Sequence, residues 1–344
     1  VILDPRPKTR RDELYGRDSE LDAMVSIVIG QKMPITVIGG IRRVGKTSLM
    51  LVAENELRDS DRFVIVYLEA GRITRRGQLG EEIAKKLRLE PGNDPIEVLR
   101  RAKSLGRHIV VVLDEVQVVP RRTRYEVMDL VEAIAYKIYH STLILLSSAP
   151  GLAKEVAGLE RNGKEILQSY DVWLNPLKKS DAEALLADGL REQGLSPDPG
   201  VVEEAVEFFG AIPGWLVFFG LRLVAGMKPE QIYREAIDTA LEEIKKLAPR
   251  PQLLLKVLAE GNDSWTRALK ALEDLEGRWV SRNGFAKALH YLEKRALVKD
   301  YRILDPVYER AARLLDPSEP LARLGLAPRQ GSAAGQELGA SSSQ

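Results

Sequence analysis

The sequence predicts an α/β protein, with a parallel sheet covered by helices on both faces and a purely helical region after it. Two observations carry this reading. Short apolar, β-branched runs alternate with helical patterns as far as residue 178, and from about residue 180 the strand signals stop. The length of 344 residues leaves room for two or three domains, each with its own core.

The elements follow in order. The first dozen residues, VILDPRPKTRRD, are rich in Pro and Arg and read as an extended arm. ITVIG (35–39) is a buried strand, with helical spacing after it from Thr47 to Leu57. FVIVYLEA (63–70) is a second strand, followed by helical patterns near 78–88 and 94–105. HIVVVLDE (108–115), a helix over 125–140 and TLILLSS (142–148) continue the alternation, and WLNPL (173–177) is a shorter fifth strand. Ser180-x-x-Glu183 reads as a capping box opening the first helix of the all-helical part. Further helices are expected over 200–209, 214–226 and 229–247, then over 252–260, 264–275 and 282–295, with APRPQ (248–252) as a linker between the two groups. ALVKDYRILDP (296–306) suits a small hairpin, and the Ser, Gly, Ala and Gln of the last residues suit a flexible tail.

Composition removes several classes of function. The chain has no cysteine, which excludes disulfides, thiolate zinc sites and cysteine nucleophiles. Its three histidines, His108, His140 and His290, are far apart in sequence, against a histidine metal cluster. The net charge of +1 is no global nucleic-acid coat, although a local basic face remains open. FFGAIPGWLVFFGL (208–221), an uncharged and mostly apolar stretch, has 14 residues and a central proline, against the roughly 20 apolar residues of a membrane span. No signal peptide is recognisable, and the expectation is a cytoplasmic protein without membrane contact.

Gly40-x-x-x-x-Gly45-Lys46-Thr47 satisfies the phosphate-binding P-loop pattern. The glycines let the backbone curl so that successive N–H groups face phosphate oxygens, and the following helix turns its positive end to them. Lys46 would bridge the outer phosphates and the Thr47 hydroxyl would meet Mg²⁺. Position favours the match over chance, since the loop follows a strand and opens a helix. Its members Gly40, Arg42, Arg43, Val44, Gly45, Lys46, Thr47 and Ser48 are therefore candidate contacts for ATP or ADP. Arg42 and Arg43 have two open readings, one projecting towards phosphate or a carboxylate and the other a solvated loop tip.

Asp114-Glu115 closes the apolar run IVVVL. A P-loop ATPase needs one carboxylate at a strand end to hold Mg²⁺ and one base to polarise water; Asp114 suits the first role and Glu115 the second. Alone, such a pair is more often a solvated turn. Ser147-Ser148 ends the next strand; Ser148 either senses the terminal phosphate or simply leads into the Pro150-Gly151 turn.

With these pieces placed, the chain resembles the archaeal ATPases of the P-loop group that includes the AAA+ and STAND proteins and origin-recognition-like ATPases. ELYGRDSEL (13–21) resembles the box upstream of the P-loop, IGGIRRVGKTSL (38–49) the family's Gly-Pro-Arg-Arg-Val-Gly-Lys-Thr-Ser loop, VVVLDEVQ (110–117) its acidic strand, and FFGAIPGWL (208–216) its lid motif. Ile41, Ala211 and Trp215 depart from the usual proline, glycine and tyrosine, and no Gly-Arg precedes the last strand, which leaves Arg161 a weak candidate for an arginine finger. The resemblance implies a five-stranded parallel sheet, a helical lid and a C-terminal winged helix. It also implies that Tyr15, Gly16 and Arg17 border the nucleotide and that Pro213 touches the base. The corresponding domains are an arm over 1–12, a P-loop ATPase core over 13–178, a lid over 179–248, a winged helix over 249–316 and a tail over 317–344.

In the helix expected over 282–295, Phe285, Leu289, Leu292 and Ala296 share a core face, while Asn283, Lys287, His290 and Lys294 share another. From 278 to 302 seven Lys or Arg face two Asp or Glu. Such a face fits a DNA groove, with Arg278, Arg282 and Arg302 on the flanking phosphates, or equally a solvated surface or a protein contact. Arg75-Arg76 and Arg121-Arg122-Arg124 are read as solvated loop clusters with the same alternative. Three readings stand: an ATP-hydrolysing switch with Lys46 and Glu115 as its catalytic residues; a DNA-binding regulator holding ATP or ADP as a structural cofactor; and an ATPase sensing a protein partner or another copy of itself.

Overall fold

The structure is a computed structural model that describes residues 1–31, 33–58 and 61–326. Five parallel strands form the sheet, β1 (Ile35–Gly40), β2 (Phe63–Glu69), β3 (His108–Asp114), β4 (Ser141–Ser147) and, after a short hairpin of β5 (Glu160–Arg161) and β6 (Lys164–Glu165), β7 (Tyr170–Leu174). Their order is β2-β3-β4-β1-β7. β1, β3 and β4 are buried along their whole length, as continuous Val/Ile/Leu runs require when helices cover both faces. One face carries α1 (Asp18–Gly30) and α2 (Lys46–Arg58); the other carries α3 (Gln78–Leu87), α4 (Pro95–Ala102), α5 (Arg124–Tyr136) and α6 (Pro150–Val156).

The helical part holds α7 (Lys179–Glu192), α8 (Pro199–Phe209), α9 (Pro213–Val224) and α10 (Pro229–Lys245) as the lid. It continues with α11 (Pro249–Ala259), α12 (Trp265–Glu276), α13 (Arg282–Lys294), the two-stranded hairpin of β8 (Val298–Lys299) and β9 (Arg302–Ile303), α14 (Pro306–Leu314) and α15 (Ser318–Arg323). Three helices followed by a hairpin give the winged-helix arrangement. One continuous core runs from the α1–α2 face of the sheet through the lid into this last module, so the bodies share buried surface rather than hanging on linkers.

Several local expectations are corrected. The fifth strand lies at 170–174 rather than 173–177, because Pro176 has no N–H to donate to a ladder and pairing ends at Gly40 opposite Leu174. The capping box fails: α7 begins at Lys179, which puts Ser180 inside the first turn, and no side chain caps the helix. APRPQ is no linker, since α11 starts at Pro249. Prolines in a first turn remove only N–H groups that have no partner within the helix anyway, so Pro249 and Pro251 begin the helix instead of preventing it. The tail does not start at 317: α15 is ordered there and buries Leu321. The rest of the expected tail, 327–344, lies outside the described residues.

The arm is docked. Leu3 is buried in a slot between α7 and α9 that exists because Gly189 and Gly220 lack side chains: a Cβ on either would stand 2.6 or 2.7 Å from Leu3. Lys8 gathers the arm by donating from Nζ to the carbonyls of Val1, Ile2 and Asp4, while its backbone N–H donates to Ser48 Oγ at 3.0 Å. Among the described residues no helix is long and apolar enough to cross a membrane.

Candidate functional site

The loop between β1 and α2 lies at the carboxyl end of the sheet, where open parallel sheets place their ligand crevices. Lys46 is buried and donates from Nζ to the carbonyls of Gly40 at 3.1 Å and Ile41 at 3.0 Å. Burial draws its ammonium down to about 8, against the pull of Glu115 and Asp114. Gly45 takes φ +101°, and a Cβ there would meet no atom. Arg17 is a strut beneath the loop, donating from Nη2 to the carbonyls of Val44 at 3.1 Å and Asn175 at 2.6 Å and from Nη1 to Glu20.

Two carboxylates meet the loop. Asp114 ends β3 and accepts from the Thr47 hydroxyl at 3.1 Å and from the Tyr67 hydroxyl. Burial and the Asp114 carboxylate together push the Tyr67 phenol well up, so it remains a donor. Glu115 sits in the left-handed region at φ +55°, a costly conformation for a residue with a Cβ. Gln117 Nε2 donates to Glu115 and to Ser148 Oγ, and Ser147 Oγ donates to Gln117 Oε1 at 2.5 Å. Ser148 thus belongs to the support of Glu115, with its Oγ 3.5 Å from Glu115 Oε2.

A cavity of about 670 Å³ opens from this point. Arg42 through Ser48 and Glu115 line its phosphate-loop side, Tyr15 and the lid residues Pro213, Phe218 and Leu221 give it an apolar slot, and the arm adds prolines together with Asp4, Arg6 and Lys8. Polar groups at one end and an apolar slot at the other suit a nucleoside polyphosphate. Tyr15 lines the slot and donates to Asp188 at 3.1 Å, whereas Gly16 packs on Asp181. Mg²⁺ fits the same end: Thr47 and Asp114 stand together, and Mg²⁺ is commonly held by one or two protein oxygens plus substrate phosphates. Among the described residues there is no group of three or more His, Asp or Glu side chains that could hold a metal ion by itself.

The arginine pair is committed to the lid. Arg43 Cζ lies over the Trp215 ring, 4.1 Å from the centroid, and Nη2 donates to Glu243 Oε1 at 2.7 Å. Arg42 Nη1 donates to Glu243 Oε2 at 2.7 Å. Tyr308 of α14 donates to the same Oε2, and Asp305, the N-cap of α14, accepts from Trp215 Nε1 at 2.9 Å. The Gly214 N–H donates to the Arg43 carbonyl, and a Cβ on Gly214 would come within 2.6 Å of Arg43 Cβ. P-loop, lid and C-terminal module therefore meet at one carboxylate.

The basic face of α13 is divided. Arg282, Asn283 and Lys287 are exposed, as is Arg302 on β9. Lys294 pairs with Glu155 of α6, and with His290 it lines a second cavity of about 650 Å³ against the β5–β6 hairpin. The expected single open face of Asn283, Lys287, His290 and Lys294 is corrected at its last residue: His290 is exposed like the first two, whereas Lys294 is drawn to Glu155. Arg161 lines this second cavity and does not line the first.

Sequence reasoning missed the arm's place in the cavity, Tyr67, Gln117, and the group of Glu243, Asp305 and Tyr308. Gln117 was readable, two residues beyond Glu115 in VVVLDEVQ. Glu243 was not, lying 200 residues from Arg43 without a local pattern.

A family model described as an ATPase domain predominantly from Archaea matches residues 14–219. Among solved structures, the chain is similar to a Walker-type ATPase of Pyrococcus abyssi, at 23% identity and a TM-score of 0.76, covering 91% of this chain and 100% of that one. It is also similar to the ORC2 protein of Aeropyrum pernix in its ADPNP–ADP complexes, at 14% identity, TM-score 0.65 and 94% and 98% coverage. The ORC1 protein of the same organism, solved in complex with DNA, follows at 16% identity, TM-score 0.50 and 94% and 97% coverage. No curated protein sequence matches the chain.

Proposed function

Because the chain belongs to the family of ATPase domains found predominantly in Archaea, we propose that it binds ATP in the 670 Å³ cavity and hydrolyses it to ADP and phosphate. The observation that carries this reading is the convergence of Lys46, Thr47 and Glu115 on a cavity that also has an apolar lid lining, with Asp114 behind them on the Thr47 hydroxyl.

The backbone N–H groups of 40–48 and the Lys46 ammonium hold the outer phosphates; Lys46 exchanges its two carbonyl partners for phosphate oxygens as the loop fills. Thr47 and Asp114 would hold Mg²⁺, which supplies charge neutralisation between the two outer phosphates. Glu115 accepts the proton of the attacking water as the new O–P bond forms and the bond from the terminal phosphorus to the bridging oxygen breaks. Gln117, held by Ser147, fixes the Glu115 carboxylate for that role. The arm and the lid close the base into the apolar end.

Two variants test the proposal. Lys46→Ala should abolish binding of a fluorescent ATP analogue. Glu115→Gln should retain it while turnover falls by at least about a hundredfold. Wild-type turnover in Glu115→Gln would remove Glu115 from the base role.

DNA contact by the C-terminal module is a second reading, favoured by the exposure of Arg282, Asn283, Lys287 and Arg302. Replacing Arg282 and Lys287 by Glu should weaken duplex binding and flatten its dependence on salt. Unchanged filter-binding curves would leave the module as a protein contact, to a partner, to another copy or to its own core.

A further inference from the structure

We infer that Arg42 distinguishes a nucleoside triphosphate from a diphosphate, leaving Glu243 for the terminal phosphate when a triphosphate is bound. The inference rests on the cavity being an ATP site and adds what the arginine pair does there.

The two arginines are held unequally. Arg43 has three ties: the cation–π contact with Trp215, the bond to Glu243 Oε1 and the backbone bond to Gly214. Its side chain is 24% exposed. Arg42 has one bond, to Glu243 Oε2, and a side chain 55% exposed. A single bond to a guanidinium half open to water is partly screened, even with the Glu243 side chain 18% exposed, whereas an arginine fork on a phosphate makes two charge-assisted bonds. Glu243 does not depend on Arg42 either. Oε1 keeps Arg43 and Oε2 keeps the Tyr308 hydroxyl, so the carboxylate stays satisfied when Arg42 leaves.

Arg42 is also in the right place. It lines the cavity with Lys46 and Glu115, and its charge is felt at the Lys46 ammonium. A diphosphate gives it nothing to gain by leaving Glu243; a terminal phosphate does. The departure removes one of the three groups that tie α10 to the loop and to α14. Occupancy by a triphosphate is thereby communicated to the lid and the C-terminal module through a single carboxylate, and by linkage a change at Glu243 must alter triphosphate affinity.

The experiment is isothermal titration of the full chain with Mg-ADP and with the Mg complex of a non-hydrolysable ATP analogue. Arg42→Ala should weaken the analogue about tenfold and leave ADP within about twofold. Glu243→Gln, which keeps the shape and removes the competing charge, should tighten the analogue severalfold without tightening ADP. A purely structural role for Arg42 would move both ligands together, and that result overturns the inference, as does an unchanged ratio in Arg42→Ala. Unchanged or weaker analogue binding in Glu243→Gln, with its melting temperature preserved, removes Glu243 as the competing partner. Tyr308→Phe serves if Glu243→Gln fails to fold; it strips Oε2 of its other donor, so Arg42 should be held harder and the analogue weakened, and an unshifted ratio there counts against the exchange. Wild-type protein that binds neither ligand overturns the ATP-site reading itself, whereas binding of both with parallel losses overturns only the role of Arg42.

Discussion

Among the described residues, two contacts of the C-terminal module, one with the lid beside the P-loop and one with α6 of the ATPase core, are built differently. At the P-loop end, Glu243 collects Arg42, Arg43 and Tyr308 beside a buried Trp215–Asp305 bond. At the α6 end, Lys294 and Glu155 form one pair, with the Glu155 side chain 47% exposed. The first contact removes aromatic surface and polar groups from water together, so breaking it strands several partners; breaking the second strands only the Lys294 ammonium, whose side chain is 15% exposed. The difference teaches where this molecule can bend. The expectation is that the junction next to the phosphates holds when the module moves and that the far side, at α6, is the side that opens.

The comparison is broken most severely at Asp305. Asp305→Ala removes the N-cap of α14 and leaves Trp215 Nε1 buried without an acceptor, a combined loss of about 3 kcal/mol in urea unfolding. A smaller effect, about 2 kcal/mol by the same measurement, is expected of Arg43→Ala, which loses the cation–π contact with Trp215 and one arm of Glu243. Lys294→Ala should cost less than about 1 kcal/mol. Hydrogen exchange would nevertheless increase along α13 and α6 while α14 stays protected, because only the weaker contact has been opened. Raised salt should imitate Lys294→Ala and leave the Glu243 group in place. A loss at Lys294 as large as that at Asp305 would reverse the assignment of the fixed and the mobile junction.

Much of the sheet was legible because its signals are local. IVVVL and LILL are apolar on every residue, and only a strand covered on both faces requires that. The P-loop was legible for the same reason: its chemistry occupies eight consecutive residues, from Gly40 to Thr47. Errors arose where one composition serves two structures. Pro249 and Pro251 read as a linker and proved to be a first turn, since a proline is equally at home in both. Ser180 had the spacing of a cap but lies one residue past the start of its helix. The arginine pair could be flagged in the loop and not explained, because its partner comes from α10 and the partner's partner from α14. The charge of Lys294 was legible and its direction was not, for a helical wheel shows which residues share a face but never what stands opposite.

Leu3 has a consequence for how the chain reaches this form. It precedes every helix, yet its slot is made by Gly189 of α7 and Gly220 of α9, close to two hundred positions downstream. During synthesis the sheet and its phosphate loop have all their strands before α9 has emerged, while the arm has nowhere to settle. The arm is made before its slot and is thus among the last segments to find its place, and the cavity gains its final wall only when the lid has folded behind it.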